Sequence, residues 1–172
     1  MTENITCNPT SMMSDAIFSE DGKYRYALWR FWNYPAVRDN NAKAVMFILA
    51  NSSTAGKFTD DPTVIKCCHY GQRWGYDGVY LANLCALVET HWMASPSLEG
   101  RIGELCDYYL SVMRNSSHLH VATWGFMGKN YPERAKQVKA MFPKLYYLEL
   151  SKDGVPKHPL YLKANLKPVL WE

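Results

Sequence analysis

Residues 44–63, AVMFILANSSTAGKFTDDPT, decide the fold. The first seven are an unbroken apolar run containing Val, Phe and Ile, the composition of a strand buried on both faces in a parallel sheet covered by helices. The run stops at Asn51. Small polar side chains follow (Asn51, Ser52, Ser53, Thr54), and Asp60-Asp61-Pro62-Thr63 has the form of a helix cap with proline in the first helical position. A buried strand that opens into a polar loop and then a helix start is where α/β sheets place their ligands.

Working outward, KYRYALWRFW (residues 23–32) alternates Tyr24, Tyr26 and Leu28 with Arg25, Ala27 and Trp29, which predicts an aromatic edge strand. Its Arg25 and Arg30 read either as structural charges or as nucleic-acid contacts. Residues 1–19 show no periodicity and are expected to be a flexible lead-in to one domain spanning 20–172. On the other side, a helix is predicted over 62–74 with Ile65, Cys68 and Gln72 on one line. VYLANLCAL (79–87) is a second buried strand, in which the polar Asn83 requires a partner, structural or ligand. A loop with His91 and Trp92 leads to a helix over 98–114, a third strand over 118–123 ends at Trp124-Gly125, another helix starts at Pro132, and a fourth strand spans 146–150. The last stretch, VPKHPLYLKANLKPVLWE, has no period.

Strands alternating with helices predict an α/β fold of three layers, with a four-stranded, mostly parallel sheet between helices and the aromatic strand at its edge. Parallel strands share one C-terminal edge. Asn51, the strand end beyond Asn83, Trp124-Gly125 and His158 are therefore expected around one cleft.

Composition narrows the class. The chain has 172 residues, 48% hydrophobic and 20% charged, as in ordinary globular proteins. Neither a membrane-length apolar run nor a secretory leader pattern is present, so a cytoplasmic protein with no membrane partner is expected. Cys7, Cys67, Cys68, Cys85 and Cys106 form no CxxC pair and read as reduced thiols, with no metal or cofactor implied. Net charge is +3, but residues 129–172 carry nine basic side chains against four acidic. That excess reads either as a phosphate-binding face, with Lys157 and Lys163 as DNA contacts, or as solvated surface. The absence of GxGxxG, Walker A, GxSxG and HExxH motifs argues against the dinucleotide, phosphoryl-transfer, serine-hydrolase and zinc-protease classes.

The ordered motifs YRYALWRFW, Asn-Ser-Ser-Thr-Ala, DDPT, RWGYDGVYLANL, ATWG and HPLYL resemble, over residues 23–171, a family of bacterial and phage proteins carrying only an unknown-function label. More distantly, the layout is similar to the uracil-DNA glycosylase superfamily. The likeness sets Asn51-Ser52-Ser53 against the first catalytic motif, Asn83 against the base-reading asparagine, residues 122–125 against a strand end, and His158-Pro159-Leu160 against the late histidine loop. Ser52 stands where that superfamily usually has proline, and Leu160 where it usually has serine.

The resemblance implies a DNA glycosylase that flips a pyrimidine out of the duplex and leaves an abasic site. Such chemistry needs a positioned water, a donor to the departing base and a pocket. Asn51 can hold the water. Asp60 or Asp61 could activate it, or both could serve as a helix cap. His158 reads as a donor to base or phosphate, or as a turn histidine; Asn83 as a base reader or a strand tie; Trp124 as a stacking surface or core. The residues after Asn51 are small (Ser52, Ser53, Thr54), with Phe58 the first aromatic, which reads either as a tight turn or as a pocket that admits a hydroxymethylated or glucosylated pyrimidine, as in modified phage DNA. An antiviral role would follow, with no obligate protein partner. The alternatives are an N-glycosidase or transferase on free nucleotides, and a non-catalytic sensor of modified DNA.

Overall fold

The computed structural model describes residues 14–88 and 97–172. Cys7, His91 and Trp92 lie outside them. Strands β1 (Ser14–Phe18), β2 (Arg25–Phe31), β3 (Ala44–Ser52), β4 (Gly78–Val88), β5 (Leu119–Ala122), β6 (Tyr146–Tyr147) and β7 (Val169–Leu170) form one sheet in the spatial order β1-β2-β4-β3-β5-β6-β7. The four strands β4, β3, β5 and β6 are mutually parallel; β1, β2 and β7 run antiparallel to their neighbours. The fold is α/β, with a mixed, mostly parallel sheet flanked by helices.

The alternation inside β3 shows why its sequence is apolar throughout. Val45, Phe47 and Leu49 pack with Val64, Cys67, Cys68 and Tyr70, in and around helix α2 (Pro62–Arg73). Met46, Ile48 and Ala50 pack on the opposite face with Leu110 and Met113 of α4 (Cys106–Asn115) and Val138 of α6 (Pro132–Ala140). A strand with helices on both faces has no solvent side to encode, so its period of two is hidden in a uniform hydrophobic run.

Three expectations are corrected. The sheet has seven strands rather than four plus an edge strand, and β2 is interior: β1, which pairs Ser14 with Arg30 through Phe18 with Arg25, covers it. Ser14–Phe18 lies within the stretch read as a lead-in, and its five residues are too short and too mixed to announce a strand. The helix expected over 98–114 is broken into α3 (Leu98–Ile102) and α4 by Gly103, whose φ of +81° stops the first segment. On α2, the buried line is Val64, Cys67, Cys68 and Gly71, while Ile65 faces outward. The short helix α1 (Tyr34–Arg38) occupies the loop before β3, and α5 (Phe126–Asn130) follows β5 directly. No helix among the described residues is long and apolar enough to cross a membrane.

Candidate active site

From β3 the chain crosses by α2 to β4 on one side, then returns past β3 to β5 on the other. The sheet order therefore reverses between the C-terminal ends of β3 and β5, and a crevice opens where two successive connections leave in opposite directions. A cavity of about 870 Å³ lies there. Asn51 at the end of β3, Asp61 at the start of α2, Trp124-Gly125 after β5, and Lys157-His158 line it. Ser53 and Lys163 also reach it.

Asp61 is positioned by the cap geometry its sequence encodes. One carboxylate oxygen accepts the Val64 backbone N–H at 2.8 Å, and Pro62 occupies the first turn. Asp60, its neighbour, is committed elsewhere: Nε and Nη2 of the buried Arg30 both reach one of its oxygens at 2.8 Å. Between the two aspartates, only Asp61 lines the cavity.

His158 stands before a 3-10 turn (Pro159–Tyr161), where its Nδ1 accepts the Leu160 N–H at 3.4 Å. Burial lowers its pKa, and the Asp61 carboxylate acts in the opposite direction. A neutral ring that accepts at Nδ1 carries its proton on Nε2, which is then available as a donor. Gly125 is required beside it. Its φ is +61°, and a Cβ there would sit 2.9 Å from the His158 Cβ.

Several expected site residues do not reach the cavity. Ser52 is fully buried, its Oγ donating to the Arg25 carbonyl and accepting from Asn83 Nδ2, both at 3.0 Å. Asn83, 3% exposed, ties β4 to β3 and is not among the lining residues; its Oδ1 has no partner among the described residues. A bulge ends this pairing: β3 advances from Asn51 to Ser52 while β4 advances from Cys85 to Val88. Thr54 and Phe58 are exposed on the loop and line nothing. Phe58 instead lies 6.0 Å beneath the ammonium of Lys57, which pairs with Asp15. Trp124 lines the cavity yet is 1% exposed, and its ring also packs against Trp171.

Arg25, read from sequence as a structural charge or a nucleic-acid contact, lines the cavity with a buried guanidinium, and other lining residues were not anticipated; Nη1 of Arg25 donates to the Ala55 carbonyl at 2.6 Å, and Nε has no partner among the described residues. Burial takes its pKa down to about 10, against the Asp61 charge that raises it. Phe126 and Tyr161 lie on the lining with 72% and 85% of their surfaces exposed. The Gly-Phe-Met-Gly sequence after β5 and the Pro-Leu-Tyr turn were the available signals for them. Of the lining lysines, Lys157 pairs with Glu149 and Lys129 with Asp153. No cluster of His, Cys, Asp or Glu among the described residues could hold a metal ion.

The profile of one protein family, described as protein of unknown function (DUF1643), matches residues 25–160. No curated protein and no solved structure matches the chain.

Proposed function

The chain belongs to the DUF1643 family, and we propose that it is an N-glycosylase that releases a modified pyrimidine from DNA. The observation that carries the proposal is the convergence of Asn51, Asp61 and His158 on one cavity at the reversal point of the sheet. The sequence likeness to the uracil-DNA glycosylase superfamily supports it for Asn51 and His158, and does not for Asn83, which lies outside the lining.

In this mechanism Asp61 takes a proton from a water held by the Asn51 amide. The water oxygen bonds to C1′ of the sugar as the bond from C1′ to the base nitrogen breaks, and the electron pair leaves with the base. His158 Nε2–H donates to the base oxygen where that negative charge develops. A neutral histidine serves this step, consistent with the lowered pKa of His158. The exposed rings of Phe126 and Tyr161 offer stacking surface at the rim to an unpaired base. At about 870 Å³ the cavity is far roomier than one pyrimidine ring needs, which favours a substituted base, hydroxymethylated or glucosylated. Excision of such bases from phage genomes would be a defence activity.

The pairing of Lys157 and Lys129 with acidic neighbours favours a second reading, an N-glycosidase on free modified nucleotides, because compensated lysines attract a duplex weakly. One experiment separates these readings. Duplexes containing uracil, hydroxymethylcytosine or glucosylated hydroxymethylcytosine, and the matching mononucleotides, are incubated with the protein; DNA is then treated with alkali and free base is measured. Release from modified duplexes is expected. Preference for uracil would refute the large-pocket reading, release from mononucleotides alone would establish the second reading, and no release with retained binding would identify a sensor of modified DNA.

A further inference from the structure

Three arginine side chains are buried to the same degree: Arg25 and Arg30 at 1% exposure and Arg134 at 2%. Taking a guanidinium out of water is tolerated where an opposite charge or a full set of acceptors meets it. Arg30 meets Asp60, and Arg134 meets Asp107. Arg25 differs. Among the described residues no carboxylate stands within ion-pair distance of it; its protein partners are the Ala55 carbonyl at 2.6 Å and, at 3.4 Å, the Ser53 hydroxyl. Its Nε–H is buried without an acceptor. Alone of the three, it lines the cavity.

A buried guanidinium with a donor unused, lining a cavity and compensated only at a distance by the Asp61 charge, is suited to an anionic group of a ligand. Its surroundings indicate the class of anion. Exposed Phe126 and Tyr161 flank the same cavity and suit a nucleobase, and Lys163 adds a cationic side chain to the lining. We infer that Arg25 receives a phosphate-ester oxyanion of the ligand, so that the cavity binds a nucleotide by its phosphate as well as by its base. The guanidinium is suited to this by its planar set of donors, and it remains charged at neutral pH.

The inference deepens the reading of this cavity as the substrate site and rests on that reading, but it concerns binding rather than bond cleavage. The phosphate could belong to a free nucleotide or to a DNA backbone. Calorimetric titration of the full chain uses four probes: inorganic phosphate, 5-hydroxymethyldeoxycytidine, its 5′-monophosphate, and a short duplex containing that nucleotide. Phosphate-bearing probes should bind about tenfold or more tighter than the nucleoside, and Arg25→Met should remove that advantage. Arg25→Lys keeps a charge and a donor, guards against a folding defect, and should restore part of it. Dependence on Arg25 for the mononucleotide assigns the phosphate to a free nucleotide; dependence for the duplex alone assigns it to the backbone. Equal affinity for nucleoside and phosphate-bearing probes, binding of none, or unchanged affinity in Arg25→Met would overturn the inference. Base release is measured separately: Arg25-dependent binding without release from any substrate leaves the anion site standing and removes the glycosylase.

Discussion

Asp60 and Asp61 are adjacent in sequence and should respond in opposite ways to the same substitution. In Asp60→Asn the carboxylate facing a guanidinium that is 1% exposed is lost. Removing one partner of a buried ion pair costs about 3–5 kcal/mol, because the other charge stays buried. Arg30 would keep the Gly56 and Trp29 carbonyls, each at 2.8 Å, and the new amide oxygen can still accept a hydrogen bond, which sets the expectation near the lower end, about 3 kcal/mol. For a chain of this size that corresponds to a fall of about 6–12 °C in melting temperature. Asp61→Asn is milder, since asparagine caps a helix as well as aspartate does and the lost charge acts on the buried Arg25 only from beyond ion-pair distance; the expected change is within about 1 kcal/mol, or about 2–4 °C. Yet this second variant loses the carboxylate proposed to activate water and should lose base release almost entirely, while Asp60→Asn should retain it below its own melting temperature. Thermal unfolding followed by circular dichroism, paired with the alkali assay, reads both effects. A melting temperature for Asp60→Asn equal to wild type would refute the reading of the Arg30–Asp60 pair, and undiminished release by Asp61→Asn would remove Asp61 as the base.

Three further perturbations have defined outcomes. Ser52→Ala removes a buried hydroxyl that both donates to Arg25 O and accepts from Asn83 Nδ2, and should destabilise by about 1–3 kcal/mol in urea titrations with base release intact in the folded protein; lost release without lost stability would place Ser52 in the chemistry instead. Gly125→Ala puts a side chain at φ +61° and 2.9 Å from the His158 Cβ, so stability should fall by about 1–3 kcal/mol and release should drop with it; a fully active variant would separate His158 from the reaction. Burial lowers the pKa of His158, with Asp61 opposing, and burial likewise lowers that of His120, with the Arg114 and Lys144 carbonyls opposing. A folded pKa below the ordinary 6.5 means the unfolded chain binds the extra protons, so the stabilisation held above 6.5 declines as pH falls through that value. The urea midpoint should accordingly be lower at about pH 5.5 than at about pH 7.5, and an equal or higher midpoint would contradict it.

β3 and β4 could be read from sequence because burial on both faces leaves nearly uniform apolar runs, and the cap at Asp61 because its side-chain chemistry is local; β6, expected over 146–150, is only Tyr146–Tyr147 and half-buried. That Asn51, Trp124-Gly125 and His158 share a cavity was expected from strand direction, which fixes which ends meet; Asp61 joins them through the cap of α2, and Asn83 does not reach the lining. What was hidden depended on neighbours far along the chain. The bulge between Asn51 and Ser52 arises from how β4 pairs with β3, and the hydrogen bonds of Ser52 to Asn83 and to the Arg25 carbonyl join three strands. An arginine in an alternating strand ordinarily marks a solvent face; Arg25 is buried because β1 covers β2 and the loop carrying Ser53 and Ala55 closes over it. β7 is two residues long and pairs only because Tyr146 and Tyr147 present an open edge, which no window of sequence displays.

The segment bearing His158 is tied back to α2 by three side chains: Lys66 to the Leu162 carbonyl at 2.7 Å, Tyr70 to that of Lys163 at 2.6 Å, and Trp74 to that of Leu166 at 3.0 Å. Each tie joins residues more than ninety positions apart. During synthesis, β3, β4 and α2 emerge long before the residues that wall the cavity on its far side, and contacts of such separation form late because their loop-closure entropy must first be met. The sheet can thus assemble with Asp61 already capping α2 and no histidine opposite it, and the last elements to dock are those that wall the cavity. A ribosome-stalled chain ending before residue 158 would be folded in its centre and lack the far wall of the cavity, so that ligand binding there would report the docking of this segment and not the formation of the sheet.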